Sequence, residues 1–599
     1  MKDSKTRGHI YIKPECELCD QTIHTDEWTV ALLGNEDGLS PSYLTNKFRF
    51  PESQDVVETA DELILCQRLK CNTCEMAHPS VTVHANCYRV FQQSYRREDA
   101  MDAIWVASAW KSPWRYRPPQ RRPRLDLTDM TLVLIGGPVA EAIGISGLAL
   151  LPSEVLQMVR SYAPDNLLWR YSLIQNIAEE MSRPFQNPFE PQHVATRFAL
   201  AAVKAWKRES KGIDTTCDES KSESFIVRLT VDCLGLKEIQ RLHDWPEYNH
   251  TRSNTYTYVF FTQGQAGRSF IYSKFGRAFI DNHNDSRDFP FWDTPSPPLR
   301  GLKMFPRPDS PGSIRYRTVD LLNTTGLTFF FLRGFIVAVH SHKTNAPVAE
   351  PAIQHFSQYE RDQMIWTHIP ISSTDSLLRI GVGDTWQRQI EICTKLTGAY
   401  LFGPYLCYTD TRDVSGNEPS VLVHNVPIEG VGGSLGIVTE HNFESEPLLP
   451  FPRYHNDGMN PPGLDCINTV APAKNVTRAD VYYDRRNGYC KGLLLKYTNS
   501  AQRAIGQCRV GIDPFKAYEE PSWFCFRDIY DSESESLEET GSCVVECTTV
   551  TNNHKHEPCE IDDWQCMRAG AGLYLEFLCD KKTDTFGMYI RHDEEEDDD

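Results

Sequence analysis

Six of the nineteen cysteines in this chain fall between residues 16 and 87, and that crowding constrains the fold more than any other feature of the sequence. In the stretch CQRLKCNTCEMAHPSVTVHANCYRVF, residues 66–91, Cys71, Cys74, His84 and Cys87 stand at the spacing of a zinc site. A Cys-x-x-Cys turn brings two thiolates to one ion, and His-x-x-Cys at a helix start brings two more donors, which completes a tetrahedron. A further pair, Cys16 and Cys19, lies upstream, and Cys66 and His78 would raise the donor count far enough for two ions. The expected cofactor is zinc, and the expected role is a structural staple rather than a catalyst. Treble-clef zinc folds run from their last ligand pair into a helix, and Tyr88 to Trp110 carries apolar residues near a helical period until Pro113 stops it.

The compartment decides how the other thiols are read. The first ten residues, MKDSKTRGHI, contain no apolar stretch and no small-residue cleavage site, so a cytoplasmic chain is expected, with reduced thiols. The sequons at Asn249, Asn323 and Asn475 are then read as loop asparagines. Scattered cysteines such as Cys393, Cys407, Cys490 and Cys508 read as small buried hydrophobes. Cys543, Cys547, Cys559, Cys566 and Cys579, with His554 and His556, form a looser group in which a second metal site is conceivable, although its spacings match no familiar motif. Lys plus Arg number 62 against 81 Asp plus Glu, and the resulting net charge of -19 argues against a general binder of nucleic acid or anionic membrane. Thr131 to Leu151 is long and apolar, but Pro138, Glu141 and four glycines interrupt it, so a transmembrane span is rejected in favour of shorter buried pieces.

Residues 115–124, RYRPPQRRPR, hold five arginines among prolines and read as a solvated linker, with a nuclear-import signal as the alternative. From Phe225 onward short runs such as FIVRLTVDC, TYTYVFF, LTFFFLRGFIVAVHSH and GLYLEFLC alternate with Gly, Pro, Asn and Asp clusters, which is the texture of a large antiparallel β-region. Three segments, 334–349, 492–507 and 572–587, each read as a glycine, a strand, a polar turn and a returning strand. Their unequal separation favours a sandwich over a propeller, which would show a steadier period. The acidic runs DSESESLEET and HDEEEDDD read as solvated.

Motifs for catalysis are weak. His283 with Asp285 and His455 with Asp457 could each begin an iron facial triad, but both sit in Asn-rich loop contexts. The run Gly430, Gly432, Gly433, Gly436 misses dinucleotide-binding spacing and precedes a strand instead of a helix. Phe289, Phe291 and Trp292 form an aromatic cluster beside Pro-rich loops that could line a sugar or peptide site.

Residues 149–181, ALLPSEVLQMVRSYAPDNLLWRYSLIQNIAEEM, suggest a helix opening at Pro152 and Ser153, broken at Pro164 and resumed through Leu167, Leu168 and Tyr171. This segment resembles an F-box, whose opening pattern LPxEVLxxIxxYLxxxDLL it follows over about thirty residues; past Trp169 the family's usual run is not evident. The order of zinc module, F-box-like segment and long β-region is also similar to filamentous-fungal proteins of F-box type. The resemblance implies a non-catalytic substrate receptor of a cullin-type ubiquitin ligase. Leu151, Pro152, Val155, Leu156, Val159 and Leu168 would bury against the adaptor protein, and the β-region would hold the target. The alternatives are a ring-type ligase finger over residues 16–87 and a lectin-like or enzymatic β-domain.

The fold class expected is therefore multidomain α+β. A treble-clef-like zinc module with its helix occupies 1–112, and a basic linker with an apolar segment occupies 113–148. An F-box-like helical region follows over 149–212, then a sandwich-like all-β region over 225–592, in which two subdomains are allowed, and an acidic tail over 593–599.

Overall fold

The structure is a computed structural model that describes residues 9–590 except 53–55, 59–62, 69–70, 76, 114–139, 142–143, 163–165, 184–194, 209–212, 216–223, 282–289, 306–313, 355, 357, 384–388, 405–410, 415–417, 426–433, 440–443, 448–465, 531–540, 550–555, 557–563, 571–572 and 580–583. The basic linker, both His-x-Asp triplets, Phe289, Gly430, Gly432, Gly433, the acidic run 531–540 and the acidic tail lie outside the described residues. The described chain is mostly β, with several sheets, and divides into two compact units. The first holds Met1–Pro297 with Pro311–Arg315, and the second holds Pro298–Ser310 with Tyr316–Asp599.

In the first unit, strand Trp28–Gly34 is the axis of the N-terminal module. Its continuous apolar run, Val30 to Leu33, pairs antiparallel with Pro41–Leu44, Phe48–Arg49 and Ser80–His84. A smaller sheet sets His9–Tyr11 parallel to Ile64–Cys66, with Val56–Glu58 beside it. Three helices cover this module: Ala85–Ser94, Ala100–Ala109 and Leu167–Ser182. Their buried faces, with Phe91, Ile104, Trp105, Leu173, Ile174 and Ile177, join Ile10, Leu32 and Val83 in one hydrophobic cluster. Trp105 is wholly buried, and its indole nitrogen donates to the Gly38 carbonyl at 2.9 Å. Gly34 lies against that ring so closely that a Cβ there would sit 2.3 Å from it, so no other residue fits without displacing the indole.

The single helix expected over 88–110 is instead two helices, because Tyr95 is extended and the chain turns at 95–99. The turn is held by a hydrogen bond from the Tyr95 hydroxyl to Asp99 at 2.7 Å and by the Arg97–Asp99 ion pair. Strands also begin earlier than Phe225: Thr196–Ala199 and Val203–Lys207 lie inside the stretch read as helical. Val203–Lys207 pairs with Gly235–Leu242, which continues through Ile226–Asp232 to Thr257–Thr262. Phe291 and Trp292 are 2% and 4% exposed, so they are core residues and line no surface site.

In the second unit every strand pair among the described residues is antiparallel. Phe329, Ile380, Phe402, Leu493, Phe524 and Phe577 meet in its principal core. The expected hairpins at 492–507 and 572–587 form from Cys490–Tyr497 with Gln502–Gly506 and from Leu573–Cys579 with Asp584–Ile590. At 334–349 the pairing differs. Phe335–His342 folds back on the preceding strand Gly326–Leu332, with the turn at Arg333 and Gly334, both at positive φ. Among the described residues no helix is long and apolar enough to cross a membrane.

The sheet of Gly326–Leu332 and Phe335–His342, completed by Ile365–Pro370, brings three histidines together, His342 and His368 buried and His340 half-buried. Thr328 Oγ1 lies 2.7 Å from His342 Nε2 and 3.1 Å from His368 Nδ1, and Gly326 leaves the room that the His368 ring occupies. Burial holds His368 well below the usual imidazole range, with repulsion from His342 and His340 adding to it, and burial lowers His342 too. Both rings are thus neutral when folded, while the unfolded chain takes up protons as pH falls through 6.5. Stability is accordingly full above that pH and declines below it, by about 1.4 kcal/mol per pH unit for each excess proton bound by the unfolded chain. Urea titrations between pH 7.5 and 5 on the scale of ~0.5-unit steps should show this slope for the second unit, and His368→Gln should flatten it. An unaltered slope in the variant would place the pH sensitivity elsewhere.

Candidate metal centres

Two groups of donors gather in the N-terminal module, and they are not grouped as the spacing suggested. Cys16, Cys19, His84 and Cys87 form one, and His9, Cys66, Cys71 and Cys74 form the other; within each group all the donor atoms lie within 4.8 Å of one another. Cys71 and Cys74 therefore do not share an ion with His84 and Cys87. His78 belongs to neither group.

The first group is built from a tight turn and a strand-to-helix junction. Asp20 adopts a positive φ, its amide donates to the Cys16 carbonyl at 2.7 Å, and the Cys16 amide donates to Gln21 at 2.9 Å, which aims both thiols of the turn the same way. His84 ends strand Ser80–His84 and directly precedes helix Ala85–Ser94, so Cys87 returns on the first turn of that helix. His84 Nδ1 lies 3.5 Å from Cys19 Sγ and 3.7 Å from Cys87 Sγ. Ligands around one tetrahedral ion with bonds of about 2.0 to 2.3 Å would be spaced roughly 3.3–3.8 Å apart. The other ring nitrogen, Nε2, faces Glu27 at 3.3 Å, an arrangement that fixes the tautomer and leaves Nδ1 as the donor to a metal. Arg170, on helix Leu167–Ser182, reaches Gln21 Oε1 at 2.7 Å and Glu27 at 4.0 Å, so that helix clamps the rim of the site. Lys111 does the same from another side, with its buried ammonium on the Leu18 carbonyl at 2.7 Å and on Asp20 at 3.1 Å.

The second group depends on the parallel pairing of His9–Tyr11 with Ile64–Cys66, which sets His9 and Cys66 on neighbouring strands. Cys71 precedes the short helix Asn72–Glu75 and Cys74 lies within it. His9 Nδ1 stands 3.2 Å from Cys74 Sγ. Burial lowers the proton affinity of the His9 ring, which favours the neutral form a metal requires.

The electrostatics show what such a set lacks without a cation. Burial opposes ionisation of Cys16, yet hydrogen bonds from Cys19, Cys87 and His84 and the charge of His84 outweigh it and hold this thiol well below its usual range. Cys19 is pushed well up by burial and by Cys16, and Cys87 by its contacts with Cys16 and Cys19 and by burial. The second group repeats the pattern. Cys71 is lowered, because hydrogen bonds from the Cys74 and Thr73 amides and from the neighbouring thiols outweigh burial, while burial and neighbouring thiols raise Cys66 and Cys74. Each group thus favours one thiolate at the expense of its neighbours. A bound divalent cation would reverse this by stabilising all the thiolates together.

The donor missed in the sequence is His9. The sequence offers His78 as the second imidazole beside His84, and His9 takes that place because its strand pairs with the one that ends in Cys66. Of the later cysteines, Cys543, Cys547 and Cys579 are buried in the hydrophobic core of the second unit, while Cys559 and His554 lie outside the described residues.

The F-box-like residues divide between core and surface. Helices Ser153–Tyr162 and Leu167–Ser182 form where expected. Leu156 is 4% exposed and packs with Ala140 and Trp169, with Leu168 half-buried beside them, so Leu156 turns into its own chain and offers nothing to a partner. Leu151, Pro152, Val155 and Val159 face outward, and Leu150, Met158, Tyr162 and Leu167 extend the apolar exposure. No protein-family model matches this chain, and comparison with curated proteins finds no match.

Proposed function

We propose that the chain is a non-catalytic, substrate-recruiting subunit of a cullin-type ubiquitin ligase, in which two zinc ions staple the N-terminal module. In this reading the helical pair docks on the ligase adaptor protein, and the β-region, packed as a sandwich, holds the target protein. Zinc suits the two N-terminal groups because three thiols and an imidazole form a closed tetrahedral set for a borderline-soft ion, with no position left for a substrate. The observation that carries the docking role is the outward apolar ridge: Val155 and Val159 are 38% exposed and Met158 is 61% exposed on a helix anchored from beneath by Leu156, and Leu151, 37% exposed, lies just before that helix. Such a patch beside a rigid module supports a partner-binding helix face.

The test is co-purification of the full chain with the cullin adaptor. Val155→Asp combined with Val159→Asp should weaken capture by about 30-fold or more, the loss of a ~2 kcal/mol hot spot, with an unchanged circular dichroism spectrum. These positions are chosen because Leu156→Asp would disrupt the fold itself. Failure to recover the adaptor, beside an F-box control that does recover it, would reject the receptor reading.

A ring-type ligase is the second reading, favoured by the interleaving of the two donor groups along the chain. His9 is followed by Cys16 and Cys19 of the other group, then by Cys66, Cys71 and Cys74, then by His84 and Cys87. Ubiquitin transfer by the purified chain with a conjugating enzyme and no cullin would transfer the assignment to this reading.

A further inference from the structure

A third set of soft donors lies in the second unit, and its layout is that of a metal site with an open position. Strands Gly541–Thr548, Trp523–Tyr530 and Gln565–Arg568 form one antiparallel sheet, and its register sets Glu546, Cys525 and Cys566 in a row across the three strands. Phe524, Phe526 and Val545 point into the hydrophobic core, so by the two-residue period of a strand Cys525 and Glu546 point to the opposite face. His556 lies over that row. Its Nε2 is 3.0 Å from Cys566 Sγ, its Nδ1 is 3.2 Å from Glu546 Oε2, and its ring stacks on Trp564 with centroids 4.1 Å apart. The donor atoms of Cys525, His556 and Cys566 all fall within 4.8 Å of one another.

We propose that Cys525, Cys566 and His556 bind one zinc-class transition-metal ion, with Glu546 orienting the imidazole and the fourth position left to a water or another small oxygen or nitrogen donor from the adjoining cavity. Two thiolates and an imidazole select a borderline-soft ion over calcium or magnesium. The Glu546 contact at Nδ1 fixes the tautomer that presents Nε2, the nitrogen nearer the thiols, to the ion. Among the described residues no fourth cysteine or histidine joins the group. A cavity of about 210 Å³ adjoins it, with Cys525 and His556 in its wall together with Lys516, Tyr518, Glu546 and Thr548. Three protein donors beside an accessible space distinguish this site from the two four-donor groups of the first unit, which are closed. The Lys516 ammonium in the cavity wall suits an anionic oxygen donor, such as a carboxylate, at the open position.

The site is tested on the full chain by metal analysis after gel filtration in zinc-supplemented buffer, and by replacing zinc with cobalt. Cys566→Ser and, separately, His556→Gln should each lose one metal equivalent while the equivalents that depend on Cys16 and Cys71 remain. Because the N-terminal content is measured on its own variants, failure of the stapled-module reading and failure of this one give different results. Glu546→Gln should keep the equivalent but weaken its affinity by about 10- to 100-fold in a competition titration. In the cobalt form, acetate should shift the visible bands of this equivalent and leave those of the N-terminal equivalents unchanged. Identical metal content in the wild type and both ligand variants would overturn the proposal. So would mass spectrometry of the unreduced protein showing Cys525 and Cys566 joined as a disulfide, since the two stand directly opposite across the strands.

Discussion

Removal of the N-terminal metal is expected to unfold the first unit and leave the second folded. Cys16, Cys19 and Cys87 are not appended to a core that exists without them; they belong to the cluster that also contains Ile10, Leu32, Phe91, Trp105 and Ile174. A structural zinc site is worth about 10–16 kcal/mol at neutral pH. A whole domain has only about 5–15 kcal/mol of net stability. Loss of an ion on that scale exceeds what the remaining contacts supply. It also leaves crowded, wholly buried thiols of which Cys16 alone is held well below its usual range, while Cys19 and Cys87 are driven up. A strong chelator, or Cys16→Ser in the full chain, should therefore abolish one of two urea transitions and open residues 9–113 to proteolysis. The transition of the second unit, whose principal core contains none of these residues, should persist. Cys71→Ser should cost less, because Cys71 is half-buried and, among the described residues, its group joins a small hydrophobic cluster with Tyr11, Cys66 and Cys74 rather than the main core of the module. A chelated protein shown by metal analysis to hold no zinc, yet keeping both transitions, would make the donor groups incidental.

This prediction rests on a pairing that local spacing could not supply. Cys-x-x-Cys and His-x-x-Cys report which donors are neighbours in the chain, and both motifs form as short-range geometry dictates, one in the turn closed by Asp20 and one at the start of helix Ala85–Ser94. Which motif meets which is set by sheet pairing. Strand Ser80–His84 lies against Trp28–Gly34 and carries His84 to the Cys16 turn, whereas the parallel pairing of His9–Tyr11 with Ile64–Cys66 gives Cys71 and Cys74 a different imidazole. Long-range register of this kind leaves no periodic trace in the sequence.

The same division recurs elsewhere. The hairpins at Cys490–Tyr497 and Leu573–Cys579 were legible because both strands and their turn lie within about twenty residues, the range over which hairpin chemistry acts. Strand Phe335–His342 forms after its glycine as expected, but its partner precedes that glycine instead of following a polar turn, because the tight turn sits at Arg333, where a charged residue at positive φ is an uncommon choice. Leu156 and Val159 share an amphipathic helix and look equivalent by type, but Leu156 packs on Trp169 of the next helix while Val159 does not enter that cluster. Periodicity gave the helix; only the tertiary neighbour gave its inward face. Of the Cys525, His556 and Cys566 group, the sequence showed His556 and Cys566 in the late Cys/His cluster but not Cys525, which sheet pairing brings to them from a strand about forty residues upstream of Cys566.

Asp232→Ala is expected to cost the first unit about 3–5 kcal/mol, the effect of stripping one partner from a buried ion pair. Asp232 ends strand Ile226–Asp232 and accepts two hydrogen bonds from Arg208, at 2.9 and 2.7 Å, and a third from the Leu234 amide at 2.8 Å. The Arg208 guanidinium also donates to the Gly235 and Leu236 carbonyls, so the pair closes the turn between Ile226–Asp232 and Gly235–Leu242. Both side chains are 5% exposed or less. Burial works against the guanidinium's charge, and Asp232 more than offsets it, holding Arg208 above its ordinary value. Without the carboxylate, a full positive charge would remain in the interior. Gly235 magnifies the consequence: it is at positive φ, and its α-carbon packs so tightly on the Trp110 carbonyl that a Cβ would approach to 2.4 Å, so the turn cannot shift to admit water without moving the helix end above it. The double variant Arg208→Met with Asp232→Leu should recover much of the loss, because an uncharged pair of similar volume removes the desolvation cost along with the attraction. Urea denaturation of the four proteins completes the cycle. A loss below about 1 kcal/mol in Asp232→Ala, or single-variant losses that simply add in the double, would show that Arg208 reaches solvent and that the turn holds without the pair.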